Sequence, residues 1–102
     1  MRVAWTEEAL AHLESIHRYI SRDAPLYAKR LVDKLTHASQ RLIAHPRAGR
    51  TVPEYGDTEL RELIVSPYRV VYRLKPDRVD IIAVFHGAQQ LPDTFKAYED
   101  EP

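Results

Sequence analysis

The chain has 102 residues, 44% of them hydrophobic and 29% charged, a composition typical of one water-soluble globular domain. Its 15 Lys and Arg balance its 15 Asp and Glu, and this zero net charge argues against broad binding to nucleic acid, which usually accompanies a basic excess. The absence of cysteine excludes disulfides and zinc–thiolate sites and is typical of the reducing cytoplasm. No apolar run approaches the roughly 20 residues needed to cross a bilayer. We therefore expect a cytoplasmic protein without membrane association, with one domain over residues 1–102 and a polar, partly disordered tail over 89–102.

The first half of the chain is predicted to form one strand and two helices. Residues 2–5 alternate polar and apolar side chains, as a short edge strand does, and Thr6 is suited to cap the helix that follows. The apolar stripe of this first helix comprises Leu10, Leu13, Ile16 and Ile20. Pro25 fits the start of a second helix, and Pro46 is expected to end that helix after His45. The stripe of the second helix comprises Leu31, Leu35, Ala38 and Leu42.

The second half is predicted to form a loop and three strands. Residues 46–58 hold two of the three glycines and two of the seven prolines, which indicates a loop of a length that is often functional. Strand-like runs follow over 59–65, 68–74 and 79–86, separated by turn sequences. The expected fold is therefore α+β: an N-terminal strand, an antiparallel helical hairpin and a three-stranded antiparallel meander, with the helices on one face of the sheet.

Strand alternation divides the side chains of the meander between two faces. Tyr68, Val70 and Tyr72 are predicted to pack on the helices, whereas Arg69 and Arg73 point the other way. Two-residue turns would place the following pairs opposite each other: Arg73 with Asp80, Arg69 with Val84, Ile64 with Arg69, and Glu62 with Val71. The predicted open face carries the charged residues Glu62, Arg69, Arg73, Asp80 and His86 over a partly apolar floor of Ile64, Val71, Ile82 and Val84.

Two interpretations of this face remain open from the residues alone. A carboxylate, a guanidinium and an imidazole suit attack at a phosphodiester, with Glu62 as base, Arg69 holding the phosphate and His86 as acid. Alternatively, the same charges form a ladder of cross-strand ion pairs that keeps the sheet face solvated. The helical histidines lack the spacing of a metal site, and we expect neither a metal nor a cofactor.

Four segments together resemble the RelE/ParE superfamily of toxins from bacterial type II toxin–antitoxin, or plasmid-stabilisation, modules. They are WTEEALAHLESIHRYI, HPRAGRTVPE, RELIVSPYRVVYRL and DRVDIIAVFHGAQQLP, and they cover nearly the whole chain in the order of the family. The resemblance implies the RelE/ParE toxin fold. RelE-like members are ribosome-dependent endoribonucleases that cut mRNA, whereas ParE-like members poison DNA gyrase without cutting RNA. Members of both kinds are held inactive by an antitoxin whose C-terminal segment wraps the toxin.

The resemblance assigns roles to two residues of the sheet, while other positions depart from the nuclease pattern. Arg69 matches the arginine of the family's YR strand, which contacts the scissile phosphate in RelE-type nucleases, and His86 falls where one nuclease branch has its histidine. Gln89 and Gln90 stand where those nucleases have a basic residue, and Phe95 lies near the position of a catalytic tyrosine. Glutamine carries no charge and phenylalanine has no hydroxyl for proton transfer, so the ParE-like branch is favoured. Under the alternative RelE-like interpretation, the catalytic residues are Glu62, Arg69 and His86.

The resemblance also implies partners. We expect a cognate antitoxin in a hetero-oligomer, with DNA gyrase as target, or the ribosome and mRNA in the alternative. The predicted anion- or target-binding residues are Arg50, Arg69 and Arg73, and the predicted antitoxin-binding residues are Leu13, Ile16, Leu31 and Leu35. A further alternative is a degenerate toxin that only binds its antitoxin and helps it to repress their operon.

Overall fold

A computed structural model describes residues 1–56 and 59–87, and in this part of the chain five strands form one sheet with two helices packed on one face. The elements in chain order are β1 (Arg2–Trp5), α1 (Glu7–Ser21), α2 (Pro25–Gln40), a 3-10 helix (Arg41–Ile43), β2 (Arg50–Thr51), β3 (Leu60–Val65), β4 (Tyr68–Leu74) and β5 (Arg78–His86). The strand order across the sheet is β1-β5-β4-β3-β2. Strand β1 is parallel to β5, and the other neighbours are antiparallel. The predicted α+β fold is confirmed, while the predicted tail over 89–102 lies outside the described residues.

The start of α1 follows the predicted cap. Thr6 accepts a hydrogen bond through Oγ1 from the Ala9 amide at 3.2 Å, and its own amide donates to the Ile81 carbonyl at 3.0 Å. One residue therefore ends the β1–β5 ladder and begins the helix, which fixes where α1 crosses the sheet. Within the described residues no helix has the length and apolar character needed to cross a membrane.

Two helical predictions were wrong in detail. Leu10 is half-exposed, and the smaller Ala9 is buried on the core side in its place. Helix α2 ends at Gln40 instead of His45, because the chain tightens there into the 3-10 turn. Helix ends commonly tighten in this way when the last carbonyls take closer partners.

The helix-facing side of the sheet carries the main core. Its buried members are Ala9, Leu31, Leu35, Ala38, Leu42, Leu63, Val65, Val70, Tyr72, Leu74, Val79, Ile81 and Val84. The predicted faces of Tyr68, Val70 and Tyr72 are thus confirmed. The Tyr72 hydroxyl lies at the edge of this core, donating to the Pro46 carbonyl and accepting from the Gly49 amide, both at 2.9 Å.

Most of the opposite face is covered, contrary to the prediction of an open face with an apolar floor, although Ile64 of that floor stays about half-exposed. The loop that follows β2 folds over it and buries Val52 and Tyr55 against Val71 and Ile82. Strand β2 was missed within this loop, because two residues have little propensity of their own and are ordered by pairing with β3. The covering loop brings new side chains to the charged part of the face.

A register shift between β4 and β5 explains the remaining corrections. Val71 pairs with Ala83 and Tyr72 with Ile81, so that β5 has one extra residue between them. Such a bulge switches the side-chain alternation beyond it. Val84 therefore joins the main core, and Arg69 pairs with Phe85 instead of the predicted Val84.

Candidate functional site

Four charged side chains form a continuous chain of ion pairs beside the covered face. Arg50 Nε lies 2.7 Å from Oε1 of Glu62, and Arg69 Nε lies 2.6 Å from Oε2 of the same carboxylate. The two terminal nitrogens of Arg69 each donate to one carboxylate oxygen of Glu54, both at 2.9 Å. Arg69 is thus held between two carboxylates, and Glu62 between two guanidinium groups. We call this group of four residues the arginine–carboxylate cluster.

The backbone explains why these residues meet. Glu62 pairs with Val71 and Ile64 with Arg69, as predicted, so Glu62 and Arg69 are diagonal neighbours on β3 and β4. Arg50 pairs directly with Glu62 across β2 and β3. Glu54 comes from the loop after β2. No local pattern indicates its role, because its partner is 15 residues away along the chain.

Burial divides the arginine–carboxylate cluster into an inner and an outer part. The side chains of Glu62 and Arg69 are 0% and 9% exposed, whereas those of Arg50 and Glu54 are 60% and 37% exposed. The hydrogen bond from Arg69 lowers the pKa of Glu54, and the reciprocal bond raises the pKa of Arg69, while desolvation opposes both shifts. Both groups are therefore held in their charged forms.

Arg73 lies apart from this cluster. It is buried and pairs with Asp80, as predicted, about 13 Å further along β4 than Arg69. Asp80 also accepts a hydrogen bond from Arg78 Nε at 2.8 Å. Arg73 and Arg69 therefore belong to different parts of the sheet face, although the sequence suggested one arginine surface.

His86 does not join Glu62 on the covered face. Beyond the bulge it pairs with Tyr68, and the two rings meet edge to face with centroids 5.7 Å apart. The prediction that His86 shares a face with Glu62 was wrong, because the sequence does not show the extra residue in β5. His86 still lies at the rim of the arginine–carboxylate cluster, where two hollows meet.

The first hollow is a basic one of about 370 Å³, beside Arg69. The residues that matter for its chemistry are Arg50, Glu54, Ile64, Tyr68, Arg69 and His86. The second is an aromatic hollow of about 330 Å³ against α1, formed chiefly by Ile16, Tyr19, Tyr68, Val84 and His86. Tyr68 and His86 line both hollows, so the two hollows are adjacent.

The arrangement does not present a general base to a substrate. Both carboxylate oxygens of Glu62 accept hydrogen bonds from guanidinium groups, and the side chain is shielded from solvent. A base must reach the proton that it abstracts, and Glu62 cannot do so in this conformation. Across residues 1–56 and 59–87, no three His, Asp or Glu side chains gather as metal ligands would. Gln89, Gln90 and Phe95 lie outside the described residues.

The four residues predicted to bind an antitoxin differ in how deeply they are buried. Leu31 and Leu35 are buried in the main core, and Leu13 and Ile16 are half-buried against it. Leu31 and Leu35 therefore cannot form a free surface of the helical hairpin, whereas Ile16 also lines the aromatic hollow. The large apolar side chains that these helices expose are Leu10, Tyr19, Leu26 and Tyr27.

Comparison with known proteins places this arrangement in context. The sequence model of the family described as ParE toxin of type II toxin-antitoxin system, parDE, matches residues 3–91. A Sinorhizobium fredii (strain NBRC 101917 / NGR234) protein named Putative toxin Y4kP is 37% identical over 94 residues, which span 89% of this chain and 93% of that protein. A solved structure described as Chromosomal ParDE TA system from P. aeruginosa matches with a TM-score of 0.72, covering 84% of this chain and 95% of the other at 21% identity. At that identity, the structural match concerns the fold.

Proposed function

This chain belongs to the ParE toxin family of type II toxin–antitoxin systems, and we propose that it arrests growth by binding DNA gyrase and is neutralised by a cognate antitoxin in a hetero-oligomer. The proposed target follows from the activity of the ParE-like branch. The antitoxin partner follows from the family and from the ParDE system to which the similar solved structure belongs.

The burial and the ion pairs of Glu62 favour a binding function over RNA cleavage. A nuclease that used Glu62, Arg69 and His86 would need the carboxylate and the guanidinium to be open to a phosphodiester. Instead, Glu62 is shielded from solvent between two arginines, and Arg69 is saturated by Glu54 and Glu62. Binding a protein target requires neither group to act on a proton.

Of the three arginines predicted to contact a target, Arg50 is the one best placed to do so. Its side chain is 60% exposed, although its Nε is bonded to Glu62. Arg69 and Arg73 are both buried. We therefore assign first contact with an acidic surface of the target to Arg50, with Arg69 behind it.

The test is to induce the toxin without antitoxin and to ask whether replication or translation fails first. Replication should fail first, and purified protein should inhibit gyrase supercoiling or trap cleaved DNA. An Arg50→Gln variant should weaken this inhibition. The matched control is Arg18→Gln, which removes a similarly exposed arginine from α1.

Other outcomes would contradict the proposal in distinguishable ways. Unimpaired supercoiling together with codon-associated mRNA cuts on translating ribosomes would indicate a RelE-like nuclease. Normal growth on induction of folded protein would indicate a degenerate toxin that acts only as the partner of its antitoxin.

A further inference from the structure

We propose that Glu54 is an internal stand-in for an acidic side chain of the antitoxin, and that antitoxin binding exchanges one carboxylate for the other at Arg69. The inference rests on the proposed neutralisation by an antitoxin and goes beyond it by naming the group that must move. Its basis is the geometry at Arg69, where Glu54 forms the fork-to-fork contact that an incoming carboxylate would make.

The two carboxylates that hold Arg69 differ in their freedom to leave. Glu62 lies within β3, is shielded from solvent and also binds Arg50. Glu54 lies in a loop, its side chain is 37% exposed, and it lines the basic hollow. Water and a ligand can therefore reach Glu54 but not Glu62. One carboxylate is a fixed part of the sheet, and the other is exchangeable.

The exchange needs only a side-chain rotation. The loop on both sides of Glu54 is anchored, since Val52 and Tyr55 are buried against the sheet. The Val52 amide donates to the Leu60 carbonyl at 3.3 Å, and the Tyr55 amide donates to the Val52 carbonyl at 3.0 Å. A half-exposed glutamate between two such anchors can change rotamer while the backbone stays in place.

Charge balance favours an acidic occupant. The arginine–carboxylate cluster contains two arginines and two glutamates, so it is neutral while Glu54 is in place. When Glu54 swings away, one positive charge remains uncompensated beside a partly enclosed hollow. A carboxylate that replaces it restores both the charge balance and the paired hydrogen bonds of Arg69.

The adjoining aromatic hollow indicates that the carboxylate belongs to a peptide. Tyr68 and His86 form a wall shared by both hollows, and Ile16 and Tyr19 complete an apolar surface on the far side. A segment that carries an acidic residue close to an apolar one would fill both hollows at once. A nucleic-acid strand fits less well, because the chain as a whole has no basic excess.

The test compares the affinity of the antitoxin encoded beside the toxin gene for wild-type toxin and for two Glu54 variants, by isothermal titration calorimetry. In a variant without the Glu54 carboxylate, the antitoxin does not have to displace that carboxylate from Arg69. Glu54→Gln and Glu54→Ala should therefore bind about tenfold more tightly, as expected for one charge-assisted interaction. Glu59→Gln removes a carboxylate from the exposed Arg47–Glu59 pair and should bind as the wild type does.

Thermal unfolding checks that each variant is folded. Equal or weaker binding by folded Glu54 variants would show that Glu54 has only a structural role. This result would overturn the inference but would leave the antitoxin partnership intact. If wild-type toxin fails to bind the antitoxin, the proposed neutralisation itself is wrong. If the Glu54 variants instead gain affinity for a single-stranded RNA oligonucleotide and not for the antitoxin, the site is a phosphate site, and the inference fails.

Discussion

Arg69 and Glu62 form a buried pair whose members cannot be removed separately without cost. Arg69→Ala would leave the Glu62 carboxylate in the interior with one guanidinium instead of two, and breaking a buried pair typically costs about 3–5 kcal/mol. We expect a loss of that order in the free energy of unfolding, measured by denaturant titration. Arg47→Ala, which removes one member of an exposed pair at 3.4 Å, should cost about 0–1 kcal/mol.

The stability of Arg69→Ala decides whether this variant can be used to test function. Equal stability of the Arg69→Ala and Arg47→Ala proteins would contradict a structural role for the pair. If Arg69→Ala is destabilised as expected, its loss of toxicity would say nothing about target binding. For that reason the exposed members of the arginine–carboxylate cluster, Arg50 and Glu54, are the better positions for functional substitution.

Gly49 is a position where one added carbon atom, the Cβ of alanine, should lower the stability of the fold. A Cβ there would lie 2.5 Å from the Glu62 carbonyl oxygen and 2.6 Å from the Tyr72 hydroxyl. Neither neighbour can move freely, because one is strand backbone and the other is bonded to Pro46. Gly49→Ala should therefore lower the free energy of unfolding by about 1–3 kcal/mol.

Gly56 provides the matched control for this substitution. An added Cβ at Gly56 meets nothing within 4 Å, so Gly56→Ala should be close to neutral in the same denaturant titration. Equal effects at both glycines would show that the contact between the loop and Tyr72 is looser than the structure has it. Predicting Gly49 from sequence was not possible, since its neighbours are distant in the chain.

At the scale of elements, side-chain alternation predicted the faces of the strands correctly up to the bulge in β5. The faces of β3 and β4 followed from alternation, because each strand is regular and one side is apolar. In β5 the run Ile81, Ile82, Ala83 is apolar on both sides, so the sequence contained no signal for the extra residue. The misplacement of His86 relative to Glu62 and Arg69 follows from that one step.

His12 of α1 contacts the edge of β5 beyond the end of β1. Pairing with β1 ends at Trp5 and Ile81, and the Val84 amide donates to Nδ1 of His12 on α1 at 3.2 Å. Burial lowers the pKa of His12 from its ordinary value of 6.5, and the nearby Glu8 carboxylate opposes this with a smaller effect. Protonation would remove the acceptor from Nδ1.

The pH dependence of stability follows from the direction of that shift. Because the folded pKa is lower, the unfolded chain takes up the proton first as the pH falls. The contribution of His12 is therefore complete above its unfolded pKa of 6.5 and is lost as the pH falls through the folded pKa. Thermal unfolding between about pH 7.5 and 5 should show this loss. In His12→Gln, whose side-chain oxygen can accept the same hydrogen bond without titrating, the loss should be smaller, and an unchanged profile would contradict this role.

At the scale of the whole molecule, the fold could be predicted from the order of the elements and from the four segments that resemble the RelE/ParE superfamily. Each helix and each long strand carries its own periodic signal, and their sequence order allows few topologies. What could not be predicted are the features made by distant segments: strand β2, the loop that buries Val52 and Tyr55, and the closure of Arg69 by Glu54. These features cover most of a sheet face that the sequence predicted to be open, and they leave a hollow beside Arg69.

The charge of the whole molecule yields a last prediction. Strong binding to RNA or DNA of any sequence relies on an excess of cations that release counterions from phosphates. This chain has equal numbers of acidic and basic residues, and two arginines of the sheet face, Arg69 and Arg73, are buried. Filter binding of a single-stranded RNA oligonucleotide at physiological salt should therefore give a dissociation constant weaker than about 10⁻⁴ M. Micromolar binding with a steep salt dependence, lost in Arg50→Gln, would instead locate a phosphate site at the arginine–carboxylate cluster and favour a ribonuclease over a gyrase-binding toxin.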